Sequence, residues 1–155
     1  MERYVSGFLF RPGCRSTVIL LKKIKPDFLR DQWTGVGGHL EDGETPLEGM
    51  IREFEEETGV RIEDWEHFCT LKGKGFELDW FLSENEKYFE LSENKIFVAE
   101  WDGKVFTNDV GEQISEWDID DIPNIQLSNN AQWLIPMALS IRKDRARAFH
   151  IQELY

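Results

Sequence analysis

The stretch from Thr45 to Gly59 constrains the fold more than any other part of the chain, because it carries both ends of a helix and one face of it. Thr45 is an N-cap residue, Pro46 occupies the first helical position, and Glu48 stands three residues after the cap to complete a capping box. Leu47, Met50, Ile51 and Phe54 recur at i, i+3, i+4 and i+7, which puts them on one apolar face. Gly59 supplies the stop, since glycine takes the left-handed conformation that ends many helices. The spacing predicts a helix over Pro46–Thr58.

Around it the pattern is mostly extended. Tyr4–Arg11 and Thr17–Ile24 are rich in β-branched and aromatic residues and flank Pro12-Gly13, which reads as strand, turn, strand. A polar loop with Pro26 and Asp27 leads to a short glycine-rich extended piece, Trp33–Gly38. Trp65–Leu71, Glu77–Leu82, Lys95–Trp101 and Ile114–Ile119 read as further strands, and Ala146–Leu154 as a final one. A second helix falls within Ala131–Lys143, its start blurred by Pro136. Mixed strands and helices without repeats or linkers imply one α+β domain over residues 1–155, with hairpins and two helices covering a sheet.

Composition narrows the function classes. The chain has 41% hydrophobic and 13% aromatic residues, enough for a real core, and its six Trp residues read first as bulky packing around a small sheet. Thirty acids against 18 bases give a net charge of -12, which disfavours wrapping by DNA or RNA. A small phosphorylated ligand stays open, because divalent cations can bridge carboxylates to phosphates. Cys14 and Cys69 form neither a disulfide framework nor a metal motif, so they read as reduced thiols. No apolar run is long enough to span a bilayer and no signal-like start is visible, so the expectation is a cytoplasmic protein with no membrane partner. The run Arg142-Lys143-Asp144-Arg145 reads as a solvated helix end.

On the predicted helix, Glu53, Glu56 and Glu57 lie at i, i+3 and i+4, one arc away from the apolar stripe, while Glu55 points elsewhere. Like charges at this spacing cost a few tenths of a kcal/mol per pair, roughly. A hard cation such as Mg²⁺ would relieve the repulsion and also take phosphate oxygens. Taken alone, the three acids read first as a solvated face of an acidic protein. The glycines Gly35, Gly37, Gly38 and Gly43 ahead of the helix add backbone that can approach a ligand closely, although turn chemistry also uses such residues.

From Gly38 to Val60 the chain reads GHLEDGETPLEGMIREFEEETGV, which resembles the Nudix box, G-x5-E-x7-R-E-U-x-E-E-x-G-U with U bulky and aliphatic. Gly38, Glu44, Arg52, Glu53, Glu56, Glu57, Gly59 and Val60 fall in place; Phe54 departs from the usual Ile, Leu or Val but stays large and apolar. The resemblance implies a Nudix fold, a mixed sheet between helices with the box as loop-helix-loop. It implies Glu53, Glu56 and Glu57 as ligands of Mg²⁺, with Mn²⁺ as a substitute, and the Gly38 carbonyl as a further ligand. Arg52 would hold a box glutamate in place and Glu44 would brace the loop. The reaction implied is attack of water at phosphorus in a nucleotide's phosphoanhydride.

Beyond the box the chain resembles the MutT-type oxidised-purine triphosphatases, which cleave nucleotides such as 8-oxo-dGTP. Phe28 and Trp33-Thr34-Gly35 stand where those enzymes have an aromatic and Trp-Asn-Gly. Glu112 matches a late acidic residue that assists metal binding or water activation, with a surface carboxylate as the alternative. Asn129 and Asn130 fall in the base-recognition stretch, where their amides can pair with a purine edge; helix capping by either is the alternative. Thr34, Leu127 and the Asn129-Asn130 pair replace an Asn, a stacking Trp and two acids of that branch, which separates purine preference from phosphate chemistry. Lys22, Lys23 and Lys25 are each candidates to reach a phosphate. No Pro stands at the position beyond the box that marks ADP-ribose pyrophosphatases. Sugar nucleotides, dinucleoside polyphosphates and ADP-ribose remain alternative substrates, and a non-catalytic nucleotide sensor is the alternative outside the enzymes.

Overall fold

Val5, Phe8, Leu9 and Phe10 follow one another with little polar interruption, as do Val18–Leu21, and a run of that kind suits a strand covered on both faces. The computed structural model, which describes residues 1–12, 17–85, 98–100, 103–107 and 111–143, places both runs at the middle of a sheet. The elements are β1 (Glu2–Phe10), β2 (Thr17–Lys22), β3 (Trp33–Thr34), β4 (Val36–His39), α1 (Pro46–Thr58), β5 (Glu66–Gly73), β6 (Phe76–Glu84), β7 (Val98–Glu100), β8 (Gly103–Thr107), β9 (Gln113–Asp118) and α2 (Asn129–Lys143). Short 3-10 turns lie at Asp27–Leu29 and Ile119–Asn124.

The sheet order is β5-β6-β1-β2-β9-β8-β7. β1 and β6 run parallel, from Glu2 beside Phe76 to Phe10 beside Glu84. β1 and β2 pair directly only at Leu9↔Ile19 and Phe10↔Val18; beyond that they part, β4 taking the β1 edge and β3 the β2 edge. This parting opens a cleft in the sheet.

Alternation along the central strands sorts the core into two layers. Phe8, Phe10, Val18, Leu20, Trp80 and Leu82 pack with Leu134, Ile135, Ala138 and Ile141 of α2. Val5, Leu9, Ile19, Leu21 and Phe81 pack with Met50 and Phe54 of α1. Phe54 is fully buried and meets Trp65 edge-on at 5.2 Å, so the aromatic in the box is a packing choice. Trp33, Trp65 and Trp80 are buried, and Trp117 and Trp133 pack against the core, as the reading of the tryptophans anticipates.

α1 has the predicted bounds, with both bonds of the capping box present and Gly59 at φ 76°. The structure corrects the reading elsewhere. Leu47 is 42% exposed: it sits in the first turn, and Met50 and Phe54 further along make the contact with the sheet. β7 falls within the expected Lys95–Trp101, whose residues 95–97 and 101 lie outside the described residues, and β8 has no counterpart in the sequence reading because so few apolar residues mark it. α2 begins at Asn129 and runs through Pro136, which is exposed and gives up one helical bond. Arg142 is no solvated residue: its Nε donates to Glu84 at 2.8 Å and its guanidinium lies over the Phe10 ring. Cys14, Asp144, Arg145 and the strand expected at 146–154 lie outside the described residues.

Candidate active site

The site begins with the close approach of β4 to α1. A Cβ placed on Gly38 would lie 2.4 Å from Glu53 Oε2, so the absence of a side chain lets the buried Glu53 carboxylate rest against the strand. The box loop delivers Glu44, whose Oε1 accepts from the Glu41 amide at 3.1 Å. Arg52 ties the pieces together. Its Nε and Nη2 donate to Glu44 at 2.7 and 2.9 Å, its Nη1 to Glu53 at 3.0 Å and Glu56 at 3.1 Å, and its Nη2 to the His39 carbonyl at 3.0 Å.

One guanidinium facing three bonded carboxylates leaves two negative charges uncompensated. The titration of the group follows. Hydrogen bonds from Arg52 hold Glu44 below the ordinary carboxylate value, and Glu44 in turn raises Arg52. Burial pushes Glu53 up, and its one bond to Arg52 does not offset that cost. Among the described residues no three His, Cys, Asp or Glu side chains stand as a ready metal cage; Arg52 takes the oxygens that a cation would need. The donor set is nevertheless that of a hard divalent ion: excess carboxylate charge, one member buried at energetic cost, and a strand backbone stripped of side chain beside it. Glu57, half-buried on the same helix, shares the arc.

The parted strands leave a cleft of about 480 Å³ lined by Ser6, Lys23, Phe28, Thr34, Gly38 and Trp80 among others. Lys23 Nζ stands 3.5 Å from Glu112 Oε2, and the same oxygen accepts from the Ile24 amide at 3.3 Å. Of the three lysines, Lys23 lines the cleft, Lys22 lies over Trp33, and Lys25 borders, with Lys23 and Glu112, a small side pocket. Glu112 is buried and anchored on the β2 side, next to Lys23.

Phe28, 76% exposed on its 3-10 turn, borders both this cleft and a neighbouring chamber of about 380 Å³ that holds Ser128, Asn129 and Asn130. Backbone bonds from Trp33 N to Gln126 O and from Ser128 N to Trp33 O bring that segment alongside β3. Ser128, whose Oγ accepts from the Ala131 amide, caps α2, so neither asparagine has that duty. Leu127 bridges Trp33. Sequence reasoning missed Ser6, Phe76, Leu78 and Trp80 as cleft residues; the one available signal was a lone Ser in the apolar run Val5–Phe10.

A sequence model of the NUDIX domain matches residues 2–138. The chain belongs to the Nudix family. It is a Nudix hydrolase, of the class acting on phosphoanhydride bonds. The mutator MutT protein of Bacillus halodurans superposes with TM-score 0.70 at 18% identity, covering 100% of this chain and 90% of that one. MutT from Aliivibrio salmonicida and Vibrio cholerae gives 0.65 at 22%, covering 90% and 97%. The NUDIX domain of Shewanella oneidensis NrtR, solved with ADP ribose, gives 0.63 at 16%, covering 94% and 88%. At these identities the likeness shows the fold, a mixed sheet between helices. Among the described residues of this Nudix protein no helix is long and apolar enough to cross a membrane.

Proposed function

We propose that this Nudix hydrolase is a Mg²⁺-dependent nucleoside triphosphate pyrophosphohydrolase, releasing a monophosphate and pyrophosphate, with oxidised purine nucleotides such as 8-oxo-dGTP as the first substrates to test. The observation that carries the reading is the Glu53 carboxylate, buried against Gly38 in an acidic group that Arg52 only partly neutralises, next to an apolar cleft. Glu53, Glu56 and Glu57, with the Gly38 carbonyl and Glu112, would hold the metal. When bound, such an ion offsets charge developing on the phosphates and lowers the pKa of attacking water.

The chain's own residues do the remainder. Arg52 keeps Glu53 and Glu56 in place through bonds that also anchor Glu44 and His39. Lys23, aimed by Glu112, meets a phosphate. Phe28 covers one face of the base, and Thr34, Asn129 and Asn130 present polar groups to its edge. We take residues 1–155 as one domain, since Ile141, past the matched span, is buried with Phe8 in one cluster. Two cysteines in 155 residues, at no disulfide-framework spacing, suit a reducing compartment, the cytoplasm. A small nucleotide is the partner on this reading, and the net charge of -12 argues against a nucleic-acid polymer.

The test is a nucleotide panel. Purified protein with Mg²⁺ releases pyrophosphate from at least one nucleoside triphosphate, and EDTA abolishes the release. kcat/KM on 8-oxo-dGTP exceeds that on dGTP and on ADP-ribose; equal values on all three refute the oxidised-purine reading.

A further inference from the structure

Ser6 is a largely buried polar residue on the cleft face of β1. It is 7% exposed and lines the cleft, and among the described residues its hydroxyl has no hydrogen-bond partner. Thr58, Ser83 and Ser128, also buried, use their hydroxyls within the protein, with the Phe54 carbonyl, Asp64 and the Ala131 amide, and buried Ser115 faces none of the described cavities, so Ser6 is the one of these that lines the cleft. The hydroxyl opens on the cleft, where solvent or a ligand, and no protein group, can take its hydrogen bond. A Cβ on Gly35 would lie 2.6 Å from Ser6 Oγ, 2.9 Å from the Gly7 carbonyl and 3.0 Å from the Trp80 ring, so the missing side chain lets this segment pack closely against the Ser6 side of β1. Leu78 and Trp80 flank it on the floor, and the only polar side-chain atom of the two, Trp80 Nε1, is shut off beneath the surface.

Its place along the cleft identifies what it meets. Ser6 pairs with Gly37 on β4 and with Trp80 on β6. Gly37 adjoins Gly38, where the Glu53 carboxylate rests, so Ser6 lies one strand, about 5 Å, from the backbone of the phosphate end. Phe28, Phe76, Asn129 and Asn130 form the opposite end. In a nucleotide the sugar lies between phosphate and base. We infer that the Ser6 hydroxyl hydrogen-bonds a sugar hydroxyl of the nucleotide and thereby sets which sugar the enzyme accepts. This rests on the hydrolase reading above. A group built to bond a ligand hydroxyl penalises the analogue lacking it, because the protein group is then left unpaired.

The experiment compares wild type and Ser6→Ala on the ribo, 2′-deoxy and 2′,3′-dideoxy forms of one triphosphate, using the base turned over fastest. Wild-type kcat/KM falls about tenfold at one step of that series, and in Ser6→Ala the same step shrinks to under twofold. The melting temperature of the ligand-free variant is equal to or above wild type, because no internal bond is lost. A wild-type series without a step, a step that survives in the variant, or a change confined to base preference overturns the assignment to the sugar. Turnover of none of the three overturns the hydrolase reading and this inference with it, whereas turnover with an unchanged step overturns this inference alone.

Discussion

The box segment and the cleft use opposite strategies. In the box, one continuous stretch from Gly38 to Gly59 supplies the carboxylates, their guanidinium brace and the glycine that admits them, and most polar atoms there have partners inside the protein. The cleft draws scattered residues from β1, β2, β3, β4, β6 and the turn at Asp27–Leu29, and it leaves an exposed Phe28 and an unbonded Ser6 hydroxyl. The contrast separates tasks. On the proposed reading, chemistry common to every phosphoanhydride is held by local, self-satisfied structure, while recognition of a particular ligand falls to groups that line the cleft.

The largest effect expected from this division is on turnover. Glu57→Gln lowers kcat at least about a hundredfold on every nucleotide, with circular dichroism unchanged; a variant with wild-type kcat would remove Glu57 from the metal set. Arg52→Ala strikes the box as structure as well. Glu44 and Glu53, both largely buried, lose their counter-charge, so unfolding free energy drops by about 3 kcal/mol in a urea titration. Added Mg²⁺ recovers part of that loss. If stability were unaffected, the carboxylates would be solvated and the brace idle.

On the cleft side the effects are smaller and selective. Asn130→Ala changes the ratio of kcat/KM between two bases by about tenfold, without the uniform collapse expected in the box. A uniform collapse in this variant would erase the distinction between the two regions. The smallest effect belongs to Asp79, beside Trp80 on β6 but on the opposite face. Burial alone would raise Asp79, yet hydrogen bonds with His67 at 2.9 Å and from Thr70 at 2.7 Å bring it below its ordinary 3.8. A lowered carboxylate pKa stabilises the fold above the unfolded value and loses that contribution as pH falls through the folded one. Asp79→Asn therefore costs about 1–2 kcal/mol at pH 7, and the difference from wild type shrinks in denaturant titrations taken below pH 3.8. Nucleotide selectivity stays at the wild-type ratio.

The same division explains what could be read from the sequence. α1 and its caps are local, set by Thr45, Pro46, Glu48 and Gly59, and the structure has them with the bounds expected. The central strands are announced by their apolar runs. What stayed hidden depends on distant register. That Ser6 and Trp80 share a floor follows only from the parallel pairing of β1 with β6. The burial of Glu53 depends on where Gly38 lies beside α1, which spacing along a helix does not reveal. Arg142 looked solvated because Glu84 and Phe10, its partners, are far away in the chain.

Strand β1 is the wall shared by both halves. Val5 and Leu9 turn toward α1, Ser6 and Phe8 toward the opposite layer. Neighbouring residues of one strand thus belong to different layers. If Ser6 meets the sugar as proposed, substitutions there would retune what the enzyme admits while leaving untouched the residues that support α1 from the reverse of the same ribbon.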